Sequence, residues 1–323
     1  MKLKEIYRRA VAAGMENDPR GKEAVSKALS GRQKEYDDLK EKDREYFDME
    51  SLVNPYADTR ILSGTGDEDV SSVMIGIDVE TPEILLVDAL KARGRRVDAV
   101  VAHHPEGRAY ANLYQVMGMQ SDILNKSGVP INIAEDLMDG RVKEVQRRLM
   151  PVNHTRASDA ARLLGISFAC FHTVADNMVS SYLERLFNEK KPATLSDVMD
   201  LLKAIPEYKE GLLNGSGPNI FIGSPKRKAG KVYVDMTGGT EGSKDIFQSM
   251  ASSGIGTIVA MHLSEEHRKE AEKSHINVVI AGHIASDNLG VNLLFDEVTN
   301  GTTGGGGLEI IECSGFKRVS RAG

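Results

Sequence analysis

SVMIGIDVETPEILLVDALKARGRRVDAVVAHH (72–104) decides the fold. It begins with an apolar run, SVMIGIDV (72–79), that is too short for a helix and reads as a strand buried on both faces. Thr81, Pro82 and Glu83 then give a helix start: a capping hydroxyl, a proline whose missing N–H costs nothing in the first turn, and an acid at the positive end of the helix. ILLVDALKA (84–92) supplies the apolar face, Gly94 the stop, and DAVVA (98–102) a second buried strand. A strand, helix and strand in succession make a βαβ unit, so the two strands are expected to be parallel. The second strand runs directly into His103 and His104.

The alternation continues outward from this unit. NLYQVMGMQSDIL (112–124) predicts a helix, VPINIA (129–134) a strand, ASDAARLLG (157–165) a helix, SFACF (167–171) a strand and 177–188 an amphipathic helix. Gly, Pro, Ser and Lys concentrate over 188–230, around one helix at 195–204, which marks a boundary between halves. Strand and helix resume with KVYVD (231–235), GTIVAM (256–261), LSEEHRKEAEK (263–273), INVVIAG (276–282) and a helix near 286–294, and LEIIEC (308–313) reads as a final strand. GTTGGGG (301–307) reads as a loop. The expected organisation is a helical segment at 1–65, a first α/β half at 66–190, a linker region at 191–230 and a second α/β half at 231–323. Arg32 to Glu45 is dense in both charge signs with a thin seam of Leu39, Tyr46 and Phe47, so a solvated helix is expected there.

Polar clusters recur where strands give out. DAVVA empties into His103 and His104, SFACF into His172 with Asp176, and INVVIAG into His283 with Asp287. Ligands of open α/β sheets gather outside the carboxyl ends of the strands. Four imidazoles and two carboxylates exceed what one tetrahedral ion takes, so two ions sharing bridging ligands are expected. Taken singly, each cluster has an ordinary reading as well: loop histidines for 103–104, or a histidine hydrogen-bonded by the acid four residues on. Three such accidents at three strand ends are less economical than one site. Of the other histidines, His154 reads as a loop or capping residue, His262 as equally a pocket or a structural residue, and His267 and His275 as solvent-facing. Asp78 could orient a ligand imidazole or merely form a turn. MTGGTEGSK (236–244) could present amides to a phosphate, yet it matches neither nucleotide-loop spacing and reads first as a tight turn.

The ordered set HHP (103–105), HTVAD (172–176) and GHIASD (282–287) resembles the dinuclear-metal family called Nif-three-like, after an Ngg-one-interacting factor. IGIDVETPE (75–83) and HTRASDAARLLGI (154–166) fit as neighbouring blocks, so the resemblance spans about residues 70–300. It implies His103, His104, Asp176, His283 and Asp287 as metal ligands, with His172 a ligand or close neighbour. It implies a homo-oligomer, commonly a hexamer. Some members are described as GTP cyclohydrolase I type 2, which points to a nucleotide or related heterocycle as substrate. Two departures stand out: the last acid, often Glu in the family, is Asp287 here, and HHP continues as EGR (106–108) where the family has an apolar pair.

The composition bounds these readings. A net charge of −6 argues against a nucleic-acid partner, which would require a basic stripe. Two distant cysteines, Cys170 and Cys313, exclude a disulfide framework and offer no thiolate metal site. No apolar stretch suits a signal peptide or a membrane span, so a cytoplasmic location without membrane contact is expected. The expected fold is α/β, with two related lobes of mainly parallel sheets flanked by helices and the metal site in the cleft between them. The expected function is metal-dependent hydrolysis by a metal-activated water, with zinc, iron, manganese or nickel all compatible with the donors and no catalytic residue beyond the ligands. The competing reading is a non-enzymatic metal-binding assembly protein.

Overall fold

The computed structural model describes residues 1–300 and 307–321. Among them, nine strands run β1 (Thr59–Ser63), β2 (Ser72–Gly76), β3 (Ala99–Ala102), β4 (Ser167–Phe171), β5 (Asn219–Ile222), β6 (Lys231–Asp235), β7 (Ile255–Ala260), β8 (Asn277–Ile280) and β9 (Glu309–Cys313). They form two sheets, ordered β1-β4-β3-β2-β9 and β5-β8-β7-β6. In each sheet three neighbouring strands are parallel, and the first strand of the lobe pairs antiparallel at the edge. Adding four to each label of β1-β4-β3-β2 gives the second sheet. The lobes are therefore related, as the sequence suggests.

The inner parallel strands are buried because helices cover the sheets. Ala99, Val100, Val101 and Ala102 of β3 are all within 1% of fully buried, and burying each valine is worth about 1.5–3 kcal/mol. Register aligns the strand ends: Gly76 pairs with Ala102 and Ala102 with Cys170, while Asp235 pairs with Ala260 and Ala260 with Ile280. The loops that leave these ends share one rim per sheet.

Two helices follow those rims, Thr173–Lys190 after β4 and His283–Thr299 after β8, and they pack on each other. The contact is backbone-close. A methyl at Gly290 would sit 2.5 Å from the carbonyl oxygen of Ala175. Leu3–Glu16 lies against both, burying Leu3, Ile6, Tyr7, Ala10, Val11 and Gly14. The first helix is thus a core element. The solvated character expected near the N-terminus belongs to the next helix, Lys22–Asp38, which buries only Val25. The charged run does not continue as one helix: it breaks at Leu39, and Glu41–Tyr46 forms a 3-10 turn.

Several boundaries differ from the sequence reading. VPINIA is not a strand: Pro130 caps a helix, Ile131–Leu149. That helix buries Ala134, Met138, Val145 and Leu149, a helical spacing that the short apolar run concealed. Glu80, not Thr81, caps the helix Thr81–Ala92, closing a capping box with Glu83. The segment 112–124 divides into a 3-10 stretch, Leu113–Gly118, and a helix, Met119–Lys126. β1 and β5 were not expected, and they lie in the segments read as N-terminal and linker. Residues 191–230 carry the helices Leu195–Lys203 and Pro206–Leu213 as well as β5, and these pack into the second lobe. β9 crosses back to pair with β2 in the first sheet. The glycine run at 301–306 lies outside the described residues.

Candidate metal centre

The rims of both sheets meet at one cluster. After β3 the backbone turns, with the His103 amide donating to Gly76 O and the His104 amide to Ile77 O, so that both imidazoles face the same centre. His172 sits at the N-cap of the helix after β4, and Asp176 is one turn further. His283 opens the helix after β8, with Asp287 one turn on. The four-residue spacing stacks each acid under its imidazole.

Asp176 and Asp287 lie at the floor, 4% and 0% exposed. His103 Nε2 is 3.5 Å from Asp176 Oδ1 and 3.4 Å from Asp287 Oδ1. His104 Nε2 is 3.4 Å, and His283 Nε2 3.7 Å, from Asp287 Oδ2. His172 Nε2 is 3.7 Å from Asp176 Oδ2. Two donors bound to one ion at about 2.0–2.1 Å lie about 3.0–3.4 Å apart, close to these separations. Two groups could hold a metal ion: His103, His172 and Asp176, and His103, His104 and Asp287. Four buried atoms here, His103 Nε2, Asp176 Oδ1 and both oxygens of Asp287, lack a hydrogen-bond partner among the described residues. Leaving such groups unsatisfied costs about 1–3 kcal/mol each, more when charged. A divalent cation would satisfy such atoms, so the donor set fits a metal.

The far nitrogens of the imidazoles are held from behind. His172 Nδ1 lies 2.8 Å from Asp58 Oδ2, His104 Nδ1 2.7 Å from Asp78 Oδ1, and His103 Nδ1 3.2 Å from Phe171 O. An acceptor behind Nδ1 fixes the tautomer that leaves Nε2 as a lone-pair donor. The electrostatics are those of a pocket built around positive charge. Burial raises Asp176 to about 6 against the pull of His172 and His103. Burial also acts to raise Asp287, but His103, His104 and His283 outweigh it and hold that carboxylate well below its usual range. His172 rises to about 9 despite burial, through Asp176 and Asp58. His283, desolvated on its inner edge and beside other imidazoles, falls to about 4.

A cavity of about 60 Å³ opens from the cluster toward the second lobe, lined by His172, Asp176, His283 and Asp287 together with His262, Glu241 and the loop after β6. MTGGTEGSK is that loop. Gly238 and Gly239 take φ of 102° and 88°, which favour glycine, and Gln120 of the first lobe donates to Gly238 O and Thr240 O. Thr237 donates to Asn177 Oδ1 at 2.7 Å, tying the loop to the helix that carries Asp176. A wider cleft of about 1180 Å³ lies by the N-terminal helices, but its arginines are already paired: Arg20 with Asp18, Arg60 with Asp48, Arg108 with Glu50.

All six residues singled out from the sequence converge. Asp78 lies against His104 Nδ1, the placement that the orienting reading of it requires. His262 is in the cavity wall, and His154 is outside it, packed edge-on to Tyr110. His267, expected in solvent, is instead tied to Ser264 Oγ at 2.6 Å and Gly242 O at 3.1 Å. Asp58 and Glu241 escaped the sequence reading. Asp58 lies 114 positions from its partner His172, and nothing local to ADTR marks it.

No family model and no curated protein matches the chain. Solved structures do. A NIF3 superfamily protein from Sphaerobacter thermophilus is 25% identical with a TM-score of 0.69, covering 80% of this chain and 92% of that one. Reduced HcgD from Methanocaldococcus jannaschii is 15% identical with a TM-score of 0.46, covering 79% of this chain and 87% of that one. Three motifs distant in sequence close on one His/Asp cluster, and the first of these structures shares the chain's fold over most of both chains, which supports a NIF3-like assignment.

Proposed function

We propose that the chain binds two divalent metal ions and acts as a metal-dependent hydrolase on a small molecule. The observation that carries this reading is the set of buried donor atoms on His103, Asp176 and Asp287 that have no hydrogen-bond partner among the described residues, which belong to two His/Asp groups overlapping at His103. His172 and Asp176 would hold one ion and His104, His283 and Asp287 the other, with His103 between them. Ions there would supply Lewis acidity and a water of lowered pKa. The protein's own part is positional. Asp58 and Asp78 fix the imidazole tautomers, and the first-lobe packing excludes solvent from the floor. A reacting group would enter from the second-lobe side, where the His283 side chain is 41% exposed, against 25% for that of His104. A nucleotide or related heterocycle, opened or dephosphorylated by water, suits the reading.

A second reading, a non-enzymatic metal-binding assembly, draws support from the narrowness of the cavity, about 60 Å³, against about 300–1,000 Å³ for common ligand pockets. Elemental analysis and anomalous scattering on the purified protein test the metal: two ions at the cluster are expected, and none overturns both readings. His104→Ala should lose at least one ion without unfolding, and full occupancy in that variant contradicts the ligand assignment. Metal-replete protein that hydrolyses nothing in a broad panel of nucleotides and heterocycles, while chelation alters its assembly, decides for the second reading.

A further inference from the structure

We propose that His262 is a fifth imidazole of the metal centre, contributed by the second lobe and binding through Nε2 with Glu241 behind its Nδ1. The proposal rests on the metal-binding reading above and extends its ligand set.

Three independent observations converge. The first is topological. β7 holds in β5-β8-β7-β6 the place that β3 holds in β1-β4-β3-β2. β3 ends in VVAHH (100–104) and β7 in IVAMH (258–262), so His262 is the counterpart of His104, and Met261 that of His103. The adjacent pairs correspond as well: His172 and Asp176 follow β4 as His283 and Asp287 follow β8. The second is spacing. Ring centres run in a chain, His172 to His103 at 5.0 Å, His103 to His104 at 5.2 Å, His104 to His283 at 5.1 Å and His283 to His262 at 4.9 Å. Two imidazoles bound through Nε2 to one ion place their ring centres about 4.5–5.2 Å apart. The last step of the chain is thus as short as the steps among the other rings. The third is the group behind the ring. His262 Nδ1 lies 3.5 Å from Glu241 Oε1, on the same side of the ring as Asp58 at 2.8 Å from His172 and Asp78 at 2.7 Å from His104 but more loosely, and the other Glu241 oxygen lies 3.6 Å from His267 Nδ1. Glu241 is itself anchored, accepting from the Ser264 amide at 2.6 Å, while its own carbonyl accepts from Arg141 Nε at 3.0 Å. A carboxylate held in this way behind an imidazole is the usual support of a metal-bound histidine.

The test uses zinc on metal-stripped, full-length protein, followed by titration calorimetry, elemental analysis and X-ray absorption. Wild type should take two ions. His262→Ala should keep one at unchanged affinity and bind the other at least tenfold more weakly, with fewer histidines per zinc in the absorption spectrum. Glu241→Gln should weaken the same ion by a smaller factor. His262→Gln, which retains bulk, covers the event that the alanine variant folds poorly, and His267→Ala reports whether mere disturbance of this loop alters zinc binding. Unchanged affinity and histidine count in both His262 variants overturn the proposal while leaving the metal centre standing, as does an equal loss in His267→Ala. Wild type that binds no zinc overturns the centre and this ligand together.

Discussion

The two lobes repeat one strand order and differ in how tightly they hold what sits at their strand ends. In the first lobe His103 and His172 are 1% and 7% exposed, and Asp58 behind His172 is fully buried. In the second, the side chains of His262 and His283 are 45% and 41% exposed, and a glycine-rich loop forms the wall. One duplicated architecture thus yields a more buried half, in which only His104 among the imidazoles reaches 25% side-chain exposure, and a more open half. Packing makes the difference. β9 adds a fourth parallel strand to the first sheet only, and Asp58, at the entry to β1, stands behind His172. Preorganised donors on rigid elements are what a precise metal site requires.

The largest expected effect comes from the acid that the two halves share most closely. Asp287→Ala should abolish binding of the ion nearer the second lobe. At free metal 100 times Kd, wild type should gain about 2.7 kcal/mol of stability from each ion. The variant should lose that share, read as a smaller metal-induced rise in the melting temperature. An equal rise would break the assignment of Asp287 to the centre. Gly290→Val attacks the seam between the lobes, forcing side-chain carbon toward the Ala175 carbonyl, and should cost about 1–3 kcal/mol in urea unfolding of the metal-free protein. An unchanged midpoint would mean that the two ligand-bearing helices are not locked together.

Smaller effects sharpen the contrast between buried and open support. Asp58→Asn should weaken metal binding by about 10–100-fold, because the amide no longer fixes the His172 tautomer as a carboxylate does. Asp78→Asn should cost less than about tenfold, since the Asp78 side chain is 61% exposed and water can replace it behind His104. Calorimetric titration of both variants checks the ranking, and a larger loss for Asp78→Asn would reverse the picture of support graded by burial.

Much of this was legible in the chain. The βαβ unit at 72–104 could be read because buried parallel strands are continuous apolar runs and the helix between them carries its own start and stop signals. The six residues of the His/Asp cluster could be read because each follows such a run. β1 and β5 could not. They are short edge strands, TRILS and NIFI, which mix polar and apolar residues and buried and exposed positions, and whose partners lie more than fifty positions away. VPINIA was misread since four apolar residues around a proline do not distinguish a strand from the start of a helix.

By itself, the order of residues determined that strands would end in imidazole and carboxylate at three places, because hydrophobic period and local caps are written within a dozen neighbours. Only tertiary structure decided that Asp58 would stand behind His172, that His262 would join the row of rings, and that the last strand would return to the first sheet. Those choices depend on which distant backbone segments pack side by side, and no local pattern carries that information.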